Sequence, residues 1–245
     1  MASTSGGGAT RSGRPYGGLS PDERRHQRRH RLMEAGFDLF GTAGYADTSI
    51  ELLCRAAKVT PRFFYEYFSS RERLLAAVYD RTSMEVLSRV IDALATIDAS
   101  DPLQTIRAGT EAFFTQLFND PRKARILCVE TVGVSAEIDQ SRRSVLHRFA
   151  GLIADRARTA IGDPTIPPGT FDIVALAYVG GINELVIDHL FGFIETPADT
   201  LVDEVSQLLM DGASGVYLRW RHAQPPDERR PDAPAPDPDP ASSDA

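Results

Sequence analysis

Residues 48–71 read TSIELLCRAAKVTPRFFYEYFSSR, and the fold turns on them. Thr48 can cap a helix, and Glu51, three places on, completes a capping box. Leu52, Leu53, Ala56 and Ala57 give that helix an apolar stripe. Lys58-Val59 make a short turn. Thr60-Pro61 then restart the chain as a cap and a first helical residue, where proline's missing N–H costs nothing. In the second helix Phe64 and Phe68 share one face, while Arg62 and Glu66 point the opposite way, flanked by Phe63 and Tyr65. At about two turns it is too short to be stable alone, so it is a helix pinned by two phenylalanines to present its outer face. The pattern is a helix-turn-helix over residues 49–68, followed by a long helix.

Upstream, Ser20-Pro21-Asp22-Glu23 supplies a cap, a first-position proline and a capping-box acid for a helix over about 21–41. Leu32, Gly36, Leu39 and Phe40 face its core, and Gly41 and Gly44 end it. Arg24, Arg25, Arg28, Arg29 and Arg31 crowd its first half, where they repel one another unless a phosphate backbone lies nearby. The whole chain carries a net charge of −7, which excludes a protein that coats nucleic acid along its entire surface. The charge is divided, however. Residues 1–81 hold 13 Lys and Arg against 9 Asp and Glu, and residues 82–245 hold 14 against 25. The basic part coincides with the helix-turn-helix, as double-stranded DNA binding requires. His26 and His30 are four apart but lack acidic or cysteine partners, so no metal site and no cofactor are expected.

The runs Gly44–Ile50, Leu53–Thr60, Phe63–Phe68 and Arg71–Leu75 resemble the DNA-binding domain of TetR-type transcriptional regulators, over about residues 25–80. The element Phe64-Tyr65-x-Tyr67-Phe68 ahead of a capped helix is the specific part. The resemblance implies that Thr48 and Ser49 hold phosphate at a helix N-terminus, that Tyr65 and Tyr67 bond backbone phosphates, and that Arg71 neutralises another. It places Thr60, Pro61, Arg62 and Phe63 before base edges, Arg62 suited to guanine and Phe63 to a thymine methyl. It also implies a homodimer paired through the last two helices, a palindromic operator, and a small apolar or aromatic effector that releases a repressor from DNA. The sequence departs from the family at Lys58, where the turn usually has glycine, and at Arg62 and Phe63, which replace smaller residues, so no operator sequence carries over.

The rest of the chain reads as helices. Ser69-x-x-Glu72 caps one over about 70–97. Asp101-Pro102 opens one to about 118, Asp120-Pro121 one to about 135, and Thr196-Pro197 one to about 222, with further helices near 139–161 and 170–194. No stretch shows strand alternation, so the chain is expected to be all-α with nine helices. Its domains are a disordered Gly/Ser-rich arm (1–19), the helix-turn-helix domain (20–81), an effector-binding and dimerisation domain (82–222) and a disordered Pro/Asp-rich tail (223–245). Phe113, Phe114, Leu117, Cys128, Phe149 and Tyr178 are the candidate pocket lining, and Glu130, Asn183, Glu184 and His189 could join them as polar groups. Ala175, Ala177, Gly180 and Gly181 allow a close helix approach.

Cys54 and Cys128 read as reduced buried thiols. The N-terminus has no signal-peptide core, and the longest apolar run, Ile173–Ile182, is too short for a bilayer, so a cytoplasmic protein with no membrane partner is expected. Two other classes compete. An enzyme finds no support, because the sequence holds no GxSxG, HExxH, Walker loop or CxxC, so no catalytic residue is named. A helical ligand-binding or interaction module without operator binding is disfavoured by the basic first helix and by Tyr65, Tyr67 and Arg71.

Overall fold

The Ser20 hydroxyl accepts a hydrogen bond from the Glu23 N–H at 3.1 Å, and the Ser20 N–H donates to Glu23 Oε2 at 2.6 Å. This capping box starts α1 (Pro21–Thr42). In the computed structural model, which describes residues 20–97 and 101–224, eight further helices follow: α2 (Ile50–Ala57), α3 (Pro61–Tyr67), α4 (Arg71–Ala95), α5 (Pro102–Phe118), α6 (Pro121–Cys128), α7 (Ala136–Ile161), α8 (Asp172–Leu190) and α9 (Ala198–Ala223). Among the described residues there is no strand, so the expected all-α chain is found. The arm over 1–19 and the tail beyond Gln224 lie outside the described residues.

The chain forms two compact units, Met1–Val78 and Tyr79–Ala245. In the first, Leu32, Phe40, Leu53, Phe64, Leu74, Leu75 and Val78 are completely buried. Gly36 lets α1 approach the start of α4, since a Cβ there would lie 3.2 Å from Leu74 and Val78 side-chain carbons. In the second unit, one cluster of Phe114, Leu117, Cys128, Val186, Val205 and Leu209 joins α5, α6, α8 and α9. A neighbouring cluster of Ala150, Ala154, Phe171, Ala175 and Val216 joins α7, α8 and α9.

Several boundaries differ from the sequence expectation. The cap of α2 is Ser49, not Thr48: the Ser49 hydroxyl accepts from the Leu52 N–H at 3.2 Å, while the Thr48 hydroxyl donates back to the Gly44 carbonyl at 2.7 Å and is buried. The one-residue shift moves the helix's buried face to Leu53, Cys54 and Ala57, leaving Leu52 and Ala56 exposed. Gly41 stays inside α1, and Gly44, at φ +96°, is the glycine that turns the chain. Thr60 holds the N-cap position of α3 without a side-chain cap bond. Helix α6 stops at Cys128 rather than near 135, because the chain turns through Gly133 at φ +71° before Ser135 caps α7 by accepting from the Ile138 N–H. Gly192, at φ +74°, follows the end of α8.

Candidate nucleic-acid interface and ligand cavity

Helix α3 is held by its inner face. Phe64 is fully buried and its ring centroid lies 6.1 Å from that of Phe68. The outer face therefore stands in solvent: Thr60, Pro61, Arg62 and Tyr65 are exposed, and Phe63 and Tyr67 are half-buried. The Arg62 side chain is 88% accessible and faces Glu66 at 3.6 Å, an i,i+4 pair of the kind that contributes a few tenths of a kcal/mol. Such a pair positions the guanidinium and yields readily to a stronger partner.

Two arginines of α1 complete this surface. The Arg28 guanidinium lies 4.0 Å from the Phe63 ring centroid and that of Arg29 lies 5.5 Å from Phe68. Of the crowded arginines of the first helix, Arg28 and Arg29 thus stack on rings of α3 and of its C-terminal cap, Arg24 and Arg25 remain in solvent, and Arg31 is half-buried. The sequence signalled their charge. That Arg28 and Arg29 meet the aromatic rings of α3 depends on how α1 crosses it, which spacing along one helix does not encode.

At the N-terminus of α2 the two hydroxyls expected to meet phosphate have different partners. Ser49 is half-buried and keeps its hydroxyl on the helix cap, and the Thr48 hydroxyl is committed to Gly44, so Thr48 contributes no free hydroxyl. Arg71, at the start of α4, donates to the Thr48 carbonyl and, at 3.4 Å, to that of Ala46, and its guanidinium lies 4.1 Å from the Tyr45 ring centroid. It clasps the 45–48 loop, which fixes where α2 begins.

In the second unit a cavity of about 230 Å³ is walled by α4 to α9. Phe113, Phe114, Leu117, Cys128, Phe149 and Tyr178 all line it. The Phe113 and Phe149 rings meet edge to face with centroids 5.6 Å apart. Of the four polar candidates only Asn183 reaches the wall. Glu130 is instead paired with Arg125 at 2.6 Å, His189 stacks on Phe118 at 3.9 Å, and Glu184 is exposed. Sequence reasoning missed Tyr79, Val90 and Leu94 of α4, and Arg156 of α7. Arg156 left a readable signal, since it falls within an apolar stripe of three- and four-residue spacing from Val145 to Ile161. Burial pushes the Cys128 thiol up to about 12 and raises that of Cys54 as well. Reactivity needs the thiolate, so both are poised as inert core groups.

Helices α8 and α9 keep apolar side chains in solvent: Ile173 is 86% exposed, and Leu176, Leu208 and Leu218 are exposed too. A Cβ at Gly180 or Gly181 would meet nothing within 4 Å.

A recognition helix presented this way, beside a basic helix and on a chain that also encloses an apolar cavity, defines a helical DNA-binding regulator. Residues 32–78 match the family described as bacterial regulatory proteins, tetR family. The chain is 30% identical over 158 residues to the HTH-type transcriptional activator FasR of Mycolicibacterium smegmatis, covering 59% of this chain and 71% of that one. It is also 30% identical over 162 residues to the HTH-type transcriptional regulator EthR of the same organism, covering 64% and 70%. In fold it is similar to the transcriptional regulator FadR from Bacillus subtilis, solved in complex with stearoyl-CoA, with a TM-score of 0.64 at 17% identity over 75% of this chain and 98% of that one. The chain belongs to the TetR family and is a DNA-binding transcriptional regulator.

Proposed function

We propose that two copies of this chain bind a palindromic operator as a homodimer, and that a small molecule in the α4–α9 cavity releases them, so that the protein acts as a ligand-relieved repressor. The observation that carries the regulatory part is the path of α4. This one 25-residue helix begins at Arg71, which clasps the loop ahead of α2, and continues through Tyr79, Val90 and Leu94, which line the cavity. A ligand that fits one disposition of α4 better than another shifts DNA affinity by its differential binding free energy.

On DNA, Arg62 reads a base edge from the major groove and Thr60, Pro61 and Phe63 lie against neighbouring bases. Ser49, Tyr65, Tyr67 and the solvent-facing arginines of α1 meet phosphates. Arg71 acts through the loop it holds. A seven-residue helix contacts too few bases for selectivity alone, which favours a symmetric pair. The exposed apolar residues of α8 and α9 are the pairing face. Helix α8 is also long and apolar enough to cross a membrane by length and composition, but a second copy is the partner we propose for it, with the protein working in the cytoplasm where its DNA lies. No catalytic role is assigned to any residue. The relative named as a transcriptional activator favours a second reading, in which the ligand-bound dimer promotes transcription.

The test is fluorescence anisotropy of the purified protein with DNA from upstream of its own gene, over a salt series and against scrambled DNA. Selective binding with a steep salt dependence supports the regulator reading. Equal, weak binding to both DNAs removes the operator. Dodecanoate and dodecanoyl-CoA are then added to the preformed complex: loss of anisotropy supports release, and tighter binding supports the activator.

A further inference from the structure

Among the described residues lining the cavity, Arg156 alone carries a charge. Arg156 is half-buried and has no ion-pair or hydrogen-bond partner among the described residues. Its sequence neighbour Asp155 is engaged with Arg158. Three of the uncharged polar side chains on the wall are engaged within the protein: the Tyr178 hydroxyl donates to the Leu208 carbonyl, that of Thr110 to Ile106, and that of Thr105 to Asp101, while Asn183 and Ser214 also line it.

The shape is also informative. The lining residues of α7 run from Val145 to Ile161 and those of α5 from Pro102 to Leu117, so at a helical rise of 1.5 Å per residue the wall extends about 20–24 Å. A cavity of about 230 Å³ beside so long an apolar wall suits an extended apolar chain.

We propose that the cavity takes an amphiphile with one unbranched apolar chain and an anionic head group, and that Arg156 is the partner of that head group. The proposal rests on the reading of this cavity as the effector site. A neutral hydrocarbon entering the cavity would cover the arginine without pairing it, which costs free energy, and a cationic head would be repelled. A carboxylate or phosphate pairs with the guanidinium bidentately while the chain follows the stripe of Val145, Phe149, Leu152 and Ile153. A free carboxylate and a phosphate-bearing thioester share this chemistry.

The test is calorimetric titration of the full chain with dodecanoate, dodecanoyl-CoA, dodecan-1-ol and dodecyltrimethylammonium, each kept below micelle formation, against wild type, Arg156→Ala and the cavity-filling Ala157→Trp. In wild type the anionic probes are expected to bind about tenfold or more tighter than the alcohol, and the cation most weakly. Arg156→Ala should bind the alcohol as wild type does and lose the anionic preference. The tighter of the two anionic probes identifies the head group. If the alcohol matches dodecanoate in wild type, or Arg156→Ala keeps the preference, the assignment of Arg156 is overturned while the cavity remains the effector site. If no probe binds wild type, or Ala157→Trp binds them all unchanged, the cavity reading falls and this proposal with it.

Discussion

The guanidinium of Arg28 lies 4.0 Å from the ring centroid of Phe63, so a residue of α1 backs a residue of the recognition helix. This contact separates two kinds of arginine at the interface. Arg62 is held on α3 only by its exposed pair with Glu66 and should read a base: Arg62→Ala is expected to cost about 1–3 kcal/mol of operator affinity and to relax preference at one base pair. Arg25→Ala, which removes a solvent-facing arginine of α1 and leaves the Arg28–Phe63 contact in place, should instead weaken binding evenly across sequences and lower the salt slope by about one. Anisotropy against a panel of single-base operator variants at two salt concentrations distinguishes them. A uniform loss from Arg62→Ala would show it to be a phosphate contact.

Arg71 ties the 45–48 loop by donating to two carbonyl oxygens. Lysine keeps the charge but cannot span both carbonyls or lie flat on Tyr45. Arg71→Lys is therefore expected to destabilise the first unit by about 1 kcal/mol, a charge-assisted bond discounted for the partial exposure of the site. Operator binding should weaken along with it. A residue that served only as a positive charge for DNA would lose neither in the lysine variant, and denaturant unfolding alongside anisotropy makes the comparison.

Lys58 closes α2 at φ +53°, ψ +48°, the one positive-φ residue other than glycine among those described. A left-handed conformation costs an L residue roughly 1–2 kcal/mol, partly offset because glycine has more freedom to lose in the unfolded chain. Lys58→Gly should accordingly stabilise the protein by about 0.5–1 kcal/mol, seen as a higher midpoint in urea with unchanged slope.

How much of this was legible in the sequence depended on the range of the interaction involved. The helix order, the turn at Lys58 and the inner face made by Phe64 and Phe68 follow from local spacing, and the structure contains them. Thr48 and Ser49 are both competent caps, and the choice falls to Ser49 because Gly44 offers Thr48 a carbonyl four residues back, a tertiary detail of the α1–α2 corner. The six residues named for the cavity share a wall because aromatic side chains on successive helices must pack somewhere. Which polar residues accompany them was misread for Glu130, Glu184 and His189, since each depends on helix rotation that an evenly apolar stripe does not fix.

Burial of Cys128 gives stability a pH dependence with a definite sign. Its thiol is pushed up to about 12 in the folded protein, chiefly by desolvation and then by the Glu184 charge, whereas an unfolded cysteine ionises near 8.5. The folded state therefore keeps a proton that the unfolded state releases. The stabilisation is fully present below pH of about 8.5 and is lost as pH rises from there toward 12. Between pH 8 and 10 the stability difference between wild type and Cys128→Ala should shrink, approaching a slope of about 1.4 kcal/mol per pH unit in the upper part of that window. Urea unfolding at several pH values measures it, and a pH-independent difference would mean that the thiol is more hydrated than its burial implies.

Tyr178 binds α8 to α9 where Gly212 leaves room for it. The tyrosine hydroxyl donates to the Leu208 carbonyl, and a Cβ at Gly212 would come within 2.1 Å of that hydroxyl, a distance no packing adjustment of a methyl can absorb. Gly212→Ala should therefore expel the ring and cost about 1–3 kcal/mol, more than glycine's low helix propensity returns. Tyr178→Phe removes only the hydrogen bond and should cost about 1 kcal/mol. In Tyr178→Ala the obstacle is gone, so adding Gly212→Ala to it should be neutral or stabilising. The double-mutant cycle thus carries a coupling of the sign expected for a steric conflict. Because Tyr178 also lines the cavity, the same variants report on ligand binding: Gly212→Ala should change affinity for the amphiphilic probes although residue 212 itself lies off the cavity wall. Additive stability losses in the cycle, with probe affinity unmoved, would show that residue 212 and the Tyr178 ring do not conflict.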